Sequence, residues 1–145
     1  MQTESVTISA NDLAALIARA EGAFPNECCG LLLGTKSACV AQIETIRTMR
    51  NAAAEPQRGF EFEAREQLQA YREADAAALE VIGHFHSHPN GRRGPSPTDL
   101  ELARVQMTPD FWLILAVSEG KCVDASLWQL RGEPGEFVRV ELLRR

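Results

Sequence analysis

The chain has 145 residues, 45% of them hydrophobic and 24% charged, and no stretch of it breaks away in composition from the rest. That length supports one principal core over residues 1–145 and excludes two large domains, while the composition excludes a highly charged disordered chain and membrane integration. The formal charge of −5 excludes bulk electrostatic attraction to nucleic acid or anionic lipid, which would need a local basic patch.

Residues 1–10 lack the basic start and apolar core of a signal peptide, and no apolar run reaches membrane-spanning length, so a cytoplasmic protein is expected. Val6 and Ile8 begin a short strand. Ser9 then caps a helix through Asp12, with Leu13, Leu16 and Ile17 as its apolar series and Gly22 and Pro25 as its stop. Cys28 to Leu33 reads as a buried strand, Gly34 to Ser37 as a turn, and Cys39 to Thr48 as the hairpin partner. Residues 51–59 form a loop. Glu63 to Leu79 is the longest helix, with Leu68, Tyr71, Ala74, Ala78 and Leu79 near one side.

Glu80 to His88 reads as the next strand, followed by a loop from Pro89 to Pro95. Ser96-Pro97-Thr98-Asp99 carries the marks of a helix start: a hydroxyl cap, proline at the first helical position and an acid three residues on. Leu100, Ala103, Val105 and Met107 continue that helix towards Pro109. Trp112 to Val117, Val123 to Leu130 and Phe137 to Leu142 supply three late strands, joined by turns at Gly120 and at 132–135. This order fits an α+β protein, a mixed sheet covered by helices, better than a barrel of regular parallel units.

The densest polar constellation is Gly83-His84-Phe85-His86-Ser87-His88-Pro89. Alternation along a strand sends His84, His86 and His88 to one face, and Val81, Gly83 and Phe85 to the other. Zinc gives such a row a purpose, because imidazole nitrogens and a carboxylate oxygen approach it at roughly 2.0–2.2 Å in tetrahedral geometry. Asp99, carried on the helix after a short loop, can supply the acid. Two histidines and one aspartate leave a fourth position open for water, as catalysis needs. Glu27, at the edge of the buried Cys28 to Leu33 strand, is the candidate general base, and Ser96 the candidate donor to a developing oxyanion.

His86-Ser87-His88-Pro89, six residues, then Ser96-Pro97-Thr98-Asp99 fit the HxHP...SxxD signature, and Pro25 to Gly34 looks like the glutamate strand, of the JAMM or MPN-plus zinc metallopeptidases. The chain resembles the small bacterial members of that family. The resemblance implies a JAB/MPN fold, a cytidine-deaminase-like mixed β-sheet flanked by helices. It implies Zn2+ held by His86, His88 and Asp99, with Glu27 as water-activating residue and Ser96 as oxyanion stabiliser. It also implies hydrolysis of a peptide or isopeptide bond after the carboxyl-terminal Gly-Gly of a ubiquitin-like or sulfur-carrier protein.

Other readings stand beside this one. Ser96-x-x-Asp99 is also a capping pattern. His84 has no role in the family pattern, and a place beside the ligands and plain surface exposure both stay open for it. Arg92-Arg93 belong by default to a solvated loop, with contact to an acidic substrate or terminal carboxylate as the alternative. Trp112 and Trp128 read as core, and Cys28, Cys29, Cys39 and Cys122, with no CxxC pair, as reduced and mostly buried thiols. The arginine bias, with Lys36 and Lys121 the sole lysines, carries no assignment. The alternative function is a non-catalytic MPN protein-interaction module, against which the intact Glu27, His86, His88 and Asp99 set speaks. Nucleic-acid binding is not expected, since it needs a coherent arginine face. A zinc deaminase lacks its HxE and PCxxC pattern. Closed pairing as a homodimer is compatible with the chain.

Overall fold

The computed structural model describes residues 3–106 and 110–145. Its elements run β1 (Ser5–Ile8), α1 (Ala10–Ala23), β2 (Cys29–Lys36), β3 (Val40–Met49), α2 (Ala64–Ala76), β4 (Glu80–His88), α3 (Pro97–Gln106), β5 (Phe111–Ser118), β6 (Lys121–Arg131) and β7 (Glu136–Arg144). Met107 and Pro109, expected at the end of the third helix, lie outside the described residues.

The expected mixed sheet closes on itself. Its strand order is β1-β3-β2-β4-β5-β6-β7, a closed seven-stranded barrel flanked by helices rather than an open cytidine-deaminase-like sheet. The four residues of β1 make the closure, pairing parallel to β3 on one side and to β7 on the other. A strand this short shows only Val6 and Ile8 as a pattern, and nothing local announces that both its edges are used. Besides these pairs, β4 and β5 run parallel, and the remaining neighbours are antiparallel.

The barrel wall separates two apolar clusters. Leu16 and Ala20 of α1 pack with Leu32, Ile82, Phe85, Leu113 and Leu127 on one face. Ala70 and Ala74 of α2 pack with Cys29, Leu31, Leu33 and Met49 on the other. The small alanine stripe lets α2 lie close to the wall, whereas Leu68 and Tyr71, read as sharing a side with Ala74, are exposed. The α1 cap is as anticipated, with the Asp12 N–H donating to Ser9 Oγ at 3.0 Å. Gly22 does not stop that helix, which runs on to Ala23.

β2 continues three residues past Leu33 into the expected turn, through a register shift between Leu33 and Gly34. A Cβ at Gly34 would collide with the Gln42 carbonyl, so this strand residue has to be glycine. A second shift on the other edge pairs Leu32 with Gly83 and Leu33 with Val81, bulging out Ile82. Val81 therefore joins the face of the histidines instead of that of Phe85, and Ile82 turns into the Phe85 cluster. The alternation of the remaining strand is kept: His84 pairs with Leu31 and His86 with Cys29, on the α2 face.

Candidate metal centre

His86 and His88 occupy the last turnless residues of β4, and Asp99 sits in the first turn of α3. All three are buried. His86 Nε2 lies 3.2 Å from His88 Nε2, and Asp99 Oδ2 lies 3.1 Å from His88 Nε2 and 3.3 Å from His86 Nε2. A tetrahedral ion about 2.0–2.1 Å from each donor sets neighbouring donors about 3.3 Å apart. Three edges of that size, from two imidazoles and a carboxylate, fit a single metal ion, and these residues form a group able to hold one.

Local bonds fix each donor. His88 Nδ1 lies 3.1 Å from the Arg92 carbonyl, which can only accept, so Nδ1 carries the proton and Nε2 turns its lone pair to the centre. His86 has no such tie: its buried Nδ1 lacks a partner among the described residues. Aromatic packing orients this ring instead. Phe60 stacks on it with centroids 4.5 Å apart and planes 24° apart, and Trp112 presents its edge at 5.8 Å.

Asp99 and Ser96 close the expected capping box: the Asp99 N–H donates to Ser96 Oγ at 3.0 Å, and the Ser96 N–H donates to Asp99 Oδ2 at 2.9 Å. Capping and metal-side geometry therefore share one carboxylate. Burial would raise the Asp99 carboxyl, but hydrogen bonds from His86 and His88 outweigh it and hold the group well below the usual range. Burial keeps His86 below its ordinary value. For His88 burial acts in the same sense, yet the bond and charge of Asp99 prevail and raise it.

Glu27 is buried and lines the same cavity of about 580 Å³ as His88, Asp99, Ser96 and Phe60. Burial pushes its carboxyl up to about 7, with His88 pulling the other way and Asp99 adding to the rise. Its backbone is anchored twice. The Glu27 N–H donates to the Pro56 carbonyl at 2.8 Å, and Asn51 Nδ2 donates to the Glu27 carbonyl at 3.0 Å. One residue on, the Cys28 N–H donates to Ser87 Oγ at 2.8 Å while the Ser87 N–H donates to the Cys28 carbonyl at 3.1 Å. Ser87, between the two histidines, thus stitches the glutamate strand to the histidine strand. Ser96, whose Oγ accepts from Asp99, keeps its hydroxyl proton available to the cavity.

The structure thus brings Glu27, His86, His88, Ser96 and Asp99 together. His84 is set apart: half-buried, 4.2 Å by ring centroid from the edge of Trp112 and 5.5 Å from Phe60, it lines a neighbouring cavity, and burial first and His86 second push it down to about 3. Trp112 is fully buried as expected, whereas Trp128 is only partly so and bonds Ser126 through its Nε1. Cys28 and Cys29 are buried; burial drives the Cys29 thiol up to about 12, so it stays protonated. Phe60, Ser87 and Asn51 were not singled out for roles in the sequence. Ser87 stood inside the histidine motif, but its partner lies 59 residues away. Phe60 and Asn51 sit in a loop whose sequence has no periodicity to read.

Fold and site together define an α+β barrel protein carrying a His-His-Asp metal-type centre at the junction of β4 and α3. Residues 9–131 match Prok-JAB, the prokaryotic homologs of the JAB domain, and the chain belongs to that family. Its centre is consistent with a JAMM-type zinc site. The chain is similar to a desampylase of Pyrococcus furiosus, 38% identical over 89 residues, and to a desampylase of Haloferax volcanii, 33% identical over 84 residues. The matches cover 61% and 58% of this chain, and 59% of each relative. Among solved structures, a Desulfitobacterium hafniense protein superposes with a TM-score of 0.78 at 27% identity, covering 97% of this chain and 94% of the other. A Salinibacter ruber protein does so with 0.72 at 30% identity, covering 96% and 90%. Among the described residues, no helix is long and apolar enough to cross a membrane.

Proposed function

We propose that residues 1–145 form one metallopeptidase domain that hydrolyses the peptide or isopeptide bond following the carboxyl-terminal Gly-Gly of a ubiquitin-like or sulfur-carrier protein. The observation that carries this reading is the meeting of three ligand atoms at tetrahedral spacing beside a cavity lined by His88, Asp99 and the buried carboxyl of Glu27. The similarity to relatives named desampylases supports the substrate class.

His86, His88 and Asp99 are the residues that would hold Zn2+, which when bound supplies polarisation of a carbonyl and a lowered pKa for water. Glu27, as carboxylate, takes a proton from the water that attacks the carbonyl carbon, and burial raises its basicity above that of an exposed glutamate. The Ser96 hydroxyl donates to the carbonyl oxygen as negative charge gathers there. Glu27 then passes its proton to the leaving nitrogen, the C–N bond breaks to give a carboxylic acid and an amine, and the remaining water proton moves from the new carboxyl to the amine, so that a carboxylate and an ammonium product separate. No covalent acyl-enzyme forms.

The test is to incubate the zinc-loaded protein with diglycine-ended carriers bearing different carboxyl-terminal additions, and to weigh the products by mass spectrometry. Zinc-dependent cleavage immediately after Gly-Gly, lost in Glu27→Ala and His88→Ala, is expected. A folded, metal-filled protein that cleaves nothing across a broad carrier panel would instead be an interaction module.

A further inference from the structure

The β-ladder that carries the glutamate strand stops short of the glutamate. β2 pairs Cys29 with Met49 of β3 on one side and with His86 of β4 on the other. Carried two residues on, the same antiparallel registers set Glu27 opposite Asn51 and opposite His88, in a row between an amide and a histidine of the metal centre. No strand continues there: β3 ends at Met49, and the Arg50 N–H turns away to Glu66 Oε1 at 2.9 Å. The peptide groups of Glu27 need other partners, because a buried N–H or C=O left unpaired is costly.

Asn51 supplies one of those partners and organises the other. Its Nδ2 donates to the Glu27 carbonyl at 3.0 Å and to the Gly59 carbonyl at 2.9 Å, while its Oδ1 accepts from the Ala53 N–H at 3.0 Å and the Glu61 N–H at 3.2 Å. Two donor hydrogens and two lone pairs are all that a carboxamide has, so the group is saturated. The bond to Ala53 is the local turn that asparagine commonly makes. The others reach across the loop 50–63 or out of it to Glu27. Beside them the Ala52 N–H donates to the Glu61 carbonyl at 2.8 Å and closes the neck of the loop. From the closed loop the Pro56 carbonyl takes the Glu27 N–H at 2.8 Å. Both backbone groups of Glu27 are thus held by one loop, and one side chain ties that loop shut.

Resting on the reading of Glu27 as the base, we infer that Asn51 is its positioning residue: the amide takes the place of the missing ladder and fixes how the Glu27 carboxyl stands towards His86, His88 and Asp99. The four bonds of Asn51 all go to backbone atoms, so it acts through Glu27 and not on a substrate. A misplacement of about 1 Å costs on the order of 100-fold in rate, so a carboxyl carried on an unladdered segment needs such a tie. The histidines do not need it, because β4 is paired with β2 on one side and with β5 on the other. Positioning of the base therefore separates from metal binding. The residue type follows as well: an aspartate at this place would set a carboxylate oxygen against the carbonyls of Glu27 and Gly59.

Asn51→Asp keeps the size and the acceptor but removes both donations. In the zinc-loaded protein, acting on diglycine-ended carriers with carboxyl-terminal additions, it is expected to lower kcat by about 10- to 100-fold, with KM and zinc affinity each within about threefold. Asn51→Gln, which keeps donor and acceptor on a longer arm, is expected to fall between the two proteins, and it carries the same measurements if the aspartate variant does not fold. An unchanged kcat, or a zinc affinity that falls as far as kcat does, overturns the inference. Cobalt in place of zinc reads the position without turnover. Paramagnetic relaxation of the Glu27 carboxyl carbon, assigned by its loss in Glu27→Gln, is expected to change in Asn51→Asp, and equal relaxation in the two proteins overturns the inference. A changed relaxation, where the unaltered protein cleaves no carrier, keeps the positioning and refutes the hydrolysis. Cleavage with kcat and relaxation unaltered in Asn51→Asp keeps the hydrolysis and refutes the positioning.

Discussion

Asp99 and Ser96 hold each other through two reciprocal hydrogen bonds, 3.0 and 2.9 Å long, and the carboxylate oxygen that accepts from Ser96 also lies 3.1 Å from His88 Nε2. The capping box that starts α3 is therefore also the device that aims an acid at two histidines. Removing the hydroxyl should affect stability and turnover through separate causes. Ser96→Ala is expected to lose about 1 kcal/mol in thermal unfolding as a cap. It should also lose about 100- to 1000-fold in kcat as an oxyanion donor, while metal content by mass spectrometry stays at the unaltered level. Unchanged turnover with reduced stability would leave Ser96 a cap alone.

Phe60 stacks on His86 in place of the hydrogen bond that usually steers a ligand imidazole. Phe60→Ala should free the ring to rotate and weaken zinc affinity by about 10- to 100-fold, the usual loss on removing an outer partner. Competition against a fluorescent chelator measures it. Phe60→Leu, which keeps apolar volume but no ring face, distinguishes stacking from mere coverage, and an affinity unchanged in both variants would refute the role.

Ser87 offers its Oγ to the buried Cys28 N–H, one residue from Glu27. Ser87→Ala leaves that donor without its acceptor, and urea unfolding is expected to show a loss of about 1–3 kcal/mol. Faster amide exchange at Cys28 should accompany it, because the bond that protects the amide is gone. Equal exchange rates in the two proteins would mean that the strands are not joined through this serine.

Glu27 supplies a pH signature in the metal-free protein. Burial raises its folded pKa from 4.5 to about 7, so between those values the folded chain keeps a proton that the unfolded chain has released. Its contribution to stability is complete below pH 4.5 and is lost as pH rises through about 7, a difference on the order of 3 kcal/mol. Burial lowers His88, but Asp99 and also Glu27 raise it above its ordinary value, so the variant comparison reads the Glu27 carboxyl together with its pull on His88. In chelator, Glu27→Gln should match the unaltered protein at pH 5 and exceed it in urea stability at pH 8. A gap that is the same at both pH values would place the Glu27 carboxyl in water.

The polar half of this protein was legible because its residues carry their meaning locally. Two-residue spacing put His86 and His88 on one face of a strand, and the Ser96 to Asp99 interval marked a helix start, both confirmed in the bonds of β4 and α3. Types and approximate limits of the elements followed from periodicity and turn residues in the same way, although β2 took up most of its expected turn and α1 ran through Gly22. The family resemblance set Glu27 beside the histidines before any fold was known.

Closure, bulges and supporting contacts belong to the tertiary structure. β1 has two edges whose partners are remote in sequence, and its pairing with both β3 and β7 is a choice made by the whole barrel. The bulge that moves Val81 to the histidine face answers to cross-strand register, not to the polarity of β4 itself. Leu68 and Tyr71 face outward because α2 buries alanines, and only the shape of the opposing wall decides that small side chains pack better there. Phe60 reaches His86 from a loop without periodicity, and Arg92 lines Glu27's cavity with its Nε donating to the Pro95 carbonyl. Sequence spacing specifies which groups share an element, because dihedral geometry repeats along the chain; which elements meet is set by burial and hydrogen bonding summed over the entire fold.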